Sequence, residues 1–167
     1  IRKSKVVFMG NLPDVHYAKR ATLLSKMSCD DNIIALNLGS KDCAKGVKEL
    51  SELIKKANIL ILNRFEFSEL TKQDPNKIDL SKNQHKKIGG DILIVITDGE
   101  HGSFAYSQSD SYFQKAEKIE KIVDSTGAGD SFSSAFLMEY QETKNIQEAL
   151  RKGSHYASKI VMMIGAN

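Results

Sequence analysis

The sequence predicts an α/β fold built on a mostly parallel, doubly wound sheet with antiparallel strands at its edge, in a single domain over residues 1–167. Three observations predict it. Four short runs, at 6–9, 33–38, 59–62 and 92–96, are nearly continuous in aliphatic and β-branched residues, the pattern of strands covered on both faces. Helix-like stretches separate them, and that alternation argues for right-handed crossovers between parallel strands. Beyond Thr97 the pattern changes to short alternating pieces, which argue for antiparallel strands at the sheet edge.

The first strand, 6–9, leads into a helix over 17–27. The second, 33–38, leads into a helix over 44–56, on which Val47, Leu50, Leu53 and Ile54 recur at helical spacing. The third, 59–62, runs into a short helix at 65–70. The polar stretch 72–87 predicts a loop with a short helix. After the strand at 92–96 comes a turn over 98–102, then strand-like pieces at 103–107, 111–115 and 118–123. Two helices close the chain. The first, 128–142, carries apolar Phe132, Ala135, Phe136 and Met138; the second, 146–163, places Met162 and Met163 in the expected core. There is no internal repeat and no low-complexity linker.

Composition narrows the function classes. With 41% hydrophobic and 27% charged residues the chain is that of a globular protein and not of a disordered tail. The excess of 24 basic over 21 acidic residues is too small to argue for a nucleic-acid partner, and no basic cluster alternates with aromatics. Cys29 and Cys43 lie 14 residues apart with neither Cys-x-x-Cys spacing nor a histidine pattern, so a zinc site and a redox pair are both unexpected. Idle thiols in a reducing compartment are expected instead. No apolar run approaches the ~20 residues of a membrane span and no signal peptide is visible, so the expected location is the cytoplasm, without a membrane partner. The chain starts at Ile1 and enters a strand almost at once, which suggests a piece of a longer protein.

In open α/β sheets, ligands collect at the carboxyl ends of the strands, and three loops here occupy such places, after Leu62, Ile96 and Val123. The third is the most informative. Val-Asp-Ser-Thr-Gly-Ala-Gly-Asp, 123–130, sets two glycines and an acid at a predicted helix start, where free backbone N–H groups and the macrodipole favour an anion. A plain capped helix N-terminus would account for the same composition. Two details favour the anion: Asp130 sits inside the first turn and not at the cap, and two glycines there weaken a helix by roughly 1 kcal/mol each. Gly127 and Gly129 would let a phosphate approach the backbone, and Asp130 could take a proton from a hydroxyl. Phosphoryl transfer to an alcohol fits this combination.

After Leu62, Asn63 and Glu66 stand three residues apart on a predicted helix start; an amide and a carboxylate so placed could hold a hydrated magnesium ion, or simply form a capping box. After Ile96, Thr97-Asp98-Gly99-Glu100-His101-Gly102 could line a nucleotide phosphate or ribose, or be a bare turn.

In this order the three loops resemble the ribokinase, or PfkB, family of carbohydrate and nucleoside kinases. Asp124 and Gly127, Ala128, Gly129 and Asp130 follow the family's Asp-Thr-x-Gly-Ala-Gly-Asp signature in register, with Ser125 in the threonine place and Thr126 at the free position; setting Thr126 in the threonine place would require an insertion. The family's Asn-x-x-Glu falls on Asn63 and Glu66, and its Thr-x-Gly-x-x-Gly on Thr97, Gly99 and Gly102. The chain end, 157–166 with Gly165-Ala166, resembles the family's late helix and the turn beside the adenine.

This resemblance covers essentially the whole chain. It implies a ribokinase-like three-layer α/β/α fold and ATP-dependent phosphorylation of a hydroxyl on a sugar or nucleoside. Asp130 would be the base and the backbone of Gly127, Ala128, Gly129 and Asp130 the anion hole. Asn63 and Glu66 would serve magnesium, largely through water, Thr97, Gly99 and Gly102 would border ATP, and Ser154 would line the adenine side. Asp124 with the backbone near Thr126 would serve a monovalent cation, K+, as some members use.

The resemblance is to the C-terminal half of the family pattern. The early strands, the glycine-pair signature and the lid sheet that carry most acceptor contacts lie outside it, so this chain alone is expected to be inactive, and a homodimer is the expected assembly of the full-length protein. A catalytically silent nucleotide-binding protein of the same fold is the alternative; its retained Asp130 argues against it and the missing acceptor half for it. Another α/β enzyme holding a phosphorylated ligand is the second alternative. Among the remaining residues, His101 is expected in an exposed turn, His155 in packing, and Arg64 either on a phosphate or on an exposed helix position.

Overall fold

A computed structural model describes residues 4–29, 31–119 and 124–162. The chain divides into two compact units, Ile1–Ile96 with Tyr106–Ser111, and Thr97–Ala105 with Tyr112–Asn167.

In the first unit the aliphatic runs form strands β1 (Val6–Met9), β2 (Ile33–Asn37), β3 (Ile59–Asn63) and β4 (Leu93–Thr97, its last residue counted with the second unit). The strands lie side by side in chain order. β1 pairs with β2 in parallel from Val6 opposite Ile33 to Met9 opposite Leu36, and β2 with β3 from Ala35 opposite Ile59 to Asn37 opposite Ile61. Both pairs need a crossover, which helices supply. α1 (Tyr17–Met27) supplies the first, α2 (Ser40–Cys43) and α3 (Val47–Ile54) the second, and α4 (Arg64–Thr71) follows β3; α1 packs on α3 and α2 on α4. Ile34, Leu36, Leu60, Ile94, Val95 and Ile96 are buried, which is why these runs carry no polar face.

The helix expected over 44–56 is α3, which begins only at Val47, while the short α2 before it was not expected. Gly46, at φ 84, is the N-cap of α3 and interrupts the path from α2, because a positive φ cannot continue a right-handed helix. Val47, Leu50, Leu53 and Ile54 keep their helical face, and the last three are buried. The stretch 72–87 is irregular apart from a 3₁₀ turn at His85–Lys87.

α1 carries a buried ion pair to α2. Arg20 Nη2 lies 2.5 Å from Asp42 Oδ2, and Lys45 adds a second contact to Asp42 at 3.0 Å. Burial pushes the Asp42 carboxyl up, and the hydrogen bonds from Arg20 and Lys45 outweigh it, leaving the group below its ordinary value. Cys43 is buried, which pushes its thiol up to about 12, and neither it nor Cys29 is in a disulfide.

β5 (Ser103–Tyr106) and β6 (Ser111–Gln114), counted with the second unit except for Tyr106 and Ser111, are neighbours joined by residues 107–110, a connection too short for a parallel crossover. They are antiparallel, as expected. α5 (Ala128–Thr143) and α6 (Ile146–Val161) pack against each other, and the approach is close at Gly153, where a Cβ would stand 2.9 Å from the Phe132 ring. Phe132, Phe136 and Leu137 are buried, whereas Met138 is exposed and Met162 is more than half exposed, the latter against its expected place in the core. Met163 lies outside the described residues. The strand expected at 118–123 is not present at 118–119, where the chain has left the ladder, and 120–123 lie outside the described residues. No helix among the described residues is long and apolar enough to cross a membrane.

Candidate active site

The second unit brings three pieces of backbone together. The first is the turn after β4. Asp98 N–H donates to the Gly102 carbonyl at 2.8 Å and His101 N–H to the Asp98 carbonyl at 3.0 Å, closing a tight loop. Gly102 has φ 110, and a Cβ there would lie 2.3 Å from the Gln114 carbonyl. Only glycine lets this turn lie against the end of β6. His101 is exposed, as expected of a turn residue.

The second piece is the start of α5. Its N-cap, Gly127, has φ 79 and ψ −4 and offers no side-chain cap. Ala128 N–H turns back to the Ser125 carbonyl at 3.2 Å, and Ser131 N–H bonds the Gly127 carbonyl at 2.9 Å. Between them the N–H groups of Gly129 and Asp130 are left open among the described residues, at the positive end of the helix dipole. A Cβ on Gly129 would meet nothing within 4 Å, so packing does not require a glycine there. Asp130 is exposed. Upstream, Asp124 Oδ1 accepts the Thr126 N–H at 2.8 Å, and that bond holds its carboxyl below the ordinary value.

The third piece is α6. Ser154, Ala157, Ser158 and Val161 share one helical face, and Ser154 Oγ stands 3.3 Å from Ser103 Oγ, both residues buried.

These surfaces enclose a cavity of about 700 Å³, the size of a small-molecule site. Thr97, Gly99, Gly102, Ala128, Gly129 and Ser154 line it. Gly127 and Asp130 belong to the same helix start but are not lining residues. Further lining comes from Ser103, Lys115, Ala116, Glu117, Lys118, Phe132 and Ser158. Small residues three and four positions from Ser154 were the available signal for Ala157 and Ser158. No signal in the sequence marked Glu117, whose partners are remote in the chain. It accepts from Ser158 Oγ at 2.7 Å and contacts His155 Nδ1 at 2.9 Å, so His155 makes a polar contact and is not simply packed.

Asn63 and Glu66 belong to the first unit, where they form a full capping box at α4. Asn63 Oδ1 accepts the Glu66 N–H at 2.9 Å, and Glu66 Oε2 accepts the Asn63 N–H at 3.0 Å. Burial raises the Glu66 carboxyl above its ordinary value, and hydrogen bonds from the Asn63 backbone and Asn37 only partly offset this. Arg64 is half-buried and donates to the Pro75 carbonyl at 2.9 Å, so its helix position is not an exposed one. No group of three or more His, Cys, Asp or Glu that could hold a metal ion occurs among the described residues.

The family model described as pfkB family carbohydrate kinase matches residues 1–167. The chain belongs to the pfkB family. The 5-dehydro-2-deoxygluconokinase of Listeria monocytogenes is 28% identical over 172 residues, covering 96% of this chain and 52% of that protein. That of Bacillus licheniformis is 36% identical over 107 residues, covering 64% of this chain and 33% of its own length. Among solved structures, adenosine kinase from Sinorhizobium meliloti superposes with a TM-score of 0.83 at 24% identity, over 98% of this chain and 51% of that one. Arabidopsis thaliana ribokinase, complexed with ribose and ATP, gives 0.81 at 24% identity, over 99% and 52%. The fold is ribokinase-like, and this pfkB chain spans about half the length of the curated relatives it matches.

Proposed function

We propose that this chain is the nucleotide-binding half of an ATP-dependent kinase that phosphorylates a hydroxyl of a small sugar or nucleoside. One observation carries it: a 700 Å³ cavity whose wall includes Ala128 and Gly129 at an uncapped helix start with open backbone donors. Thr97, Gly99, Gly102 and Ser154 border the nucleotide. The N–H groups of Gly129 and Asp130 receive the negative charge that spreads over a phosphoryl group in transfer. Asp130, exposed beside them, accepts the proton of the attacking hydroxyl. The curated relatives favour a sugar acceptor, since those named above are 5-dehydro-2-deoxygluconokinases.

Magnesium supplies charge neutralisation on the phosphates. Asn63 and Glu66 at the start of α4 would hold such an ion largely through water, since a hydrated ion needs few protein ligands. Asp124, whose carboxyl the Thr126 N–H holds below its ordinary value, would serve K+ with the backbone near Thr126.

The alternative, nucleotide binding without transfer, draws on Asp130 not being a lining residue of the cavity. One experiment separates the two. In the full-length protein, Asp130→Asn is expected to lower kcat by roughly 100-fold or more with ATP affinity retained, the size of a general-base contribution. Full-length protein that binds ATP but transfers no phosphoryl group to any sugar or nucleoside supports the alternative. The 167-residue chain by itself is expected to bind ATP and to show no transfer, because its Asp130 is open to water.

A further inference from the structure

Beyond β6 the chain leaves the sheet, yet residues 115–119 form one wall of the cavity. Among the described residues no strand ladder fixes that wall. What ties it to α6 is Glu117, whose two carboxylate oxygens are both engaged. Oε2 accepts from Ser158 Oγ at 2.7 Å, and Oε1 stands 2.9 Å from His155 Nδ1. Ser158 and His155 lie on successive turns of one helix, so the carboxylate bridges two points of α6 and holds the wall in position as well as in place. On its other side the same stretch rests on Gly102, where a Cβ would come within 3.2 Å of Ala116 N. Ser158 and Glu117 both line the cavity.

We infer that Glu117, clasped by Ser158 and His155, is a positioning residue that sets the width of the cavity for the nucleotide. This inference rests on the nucleotide assignment of the cavity. The charge makes it testable by sign. A carboxylate in the wall of a site for a polyanion repels it, so a residue acting through charge alone would tighten ATP binding when neutralised. A residue acting as a clasp would weaken ATP binding when cut back, and would tolerate an isosteric neutral replacement that can still accept from Ser158.

The test uses the full chain and two readouts, ATP affinity by calorimetry in magnesium buffer and amide hydrogen exchange of residues 115–119 without ligand. Glu117→Ala is expected to weaken ATP binding roughly tenfold, the scale of one charge-assisted hydrogen bond. It should also speed exchange at 115–119 by a similar factor. Ser158→Ala should move both in the same direction by less. Glu117→Gln should restore both to within about twofold of wild type, because its amide keeps an acceptor for Ser158 and a group for His155. Glu117 is close to half exposed, so these variants are expected to fold.

Tighter ATP binding in Glu117→Ala would overturn the clasp in favour of charge. Faster exchange with unchanged ATP affinity would also overturn it, reducing Glu117 to a structural tie. Wild-type chain that binds no ATP would remove the nucleotide assignment itself, and the inference with it, whatever the exchange shows.

Discussion

The starts of α4 and α5 are built in opposite ways. At α4, Asn63 caps the Glu66 N–H and Glu66 reaches back to the Asn63 N–H, so the helix satisfies its own donors with its own side chains. At α5, the N-cap is Gly127 in the left-handed region, no side chain caps the turn, and the N–H groups of Gly129 and Asp130 stay open beside a cavity. A closed start stabilises the fold, whereas an open one leaves stability unclaimed and keeps donors for a ligand. Their titration differs too: burial raises Glu66, while the Thr126 N–H lowers Asp124.

Gly129→Ala should separate ligand from fold most sharply. With open space around its Cβ position the variant is expected to be more stable than wild type by about 0.5–1 kcal/mol, from helix propensity alone. Its methyl group would stand where the anion approaches, and ATP affinity should fall roughly tenfold, the loss of one charged hydrogen bond. Calorimetry and denaturant unfolding on one preparation give both numbers. Equal ATP affinity would mean that the open start of α5 holds no phosphate.

Asn63→Ala is the reciprocal change. Removing that cap should cost about 1 kcal/mol of stability, visible as a lower denaturation midpoint with an unchanged slope. A smaller loss would show that the capping box at α4 contributes less than its geometry suggests.

The smallest effect is in acid. Glu66 has a raised carboxyl in the folded state, so its contribution is fully present below its unfolded value and falls away as pH rises through the folded one. Glu66→Gln should therefore gain on wild type as pH climbs from about 4 towards neutrality. Asp124 is lowered, so its contribution is present above its unfolded value and is lost as pH falls through the folded one. Asp124→Asn should lose relative stability near neutral pH and approach wild type in strong acid. Denaturation midpoints of the two variants across pH 2 to 7, on the ordinary carboxylate scale, should cross in opposite senses.

The strand runs were legible because burial on both faces leaves nothing polar in them, and all four stand where the aliphatic residues put them. The helix start at Ala128 was legible from its glycines and acid. The start of α3 at Gly46 was not, because Val47, Leu50, Leu53 and Ile54 set an apolar face without marking where the helix begins, and a φ is not written in a hydrophobic pattern. Met162 misled for the reverse reason: an apolar side chain at helical spacing can still face water.

The sequence by itself determined the α/β order and the places of the helix starts that follow Leu62 and Gly127. These are local matters, decided by residues three or four positions apart. Tertiary structure alone decided which side chains share a cavity. Glu117 meets His155 and Ser158 across 38 and 41 residues, and Ser103 meets Ser154 across 51. Contacts of that separation depend on how β6 and α6 fold back on one another, and no local spacing encodes them.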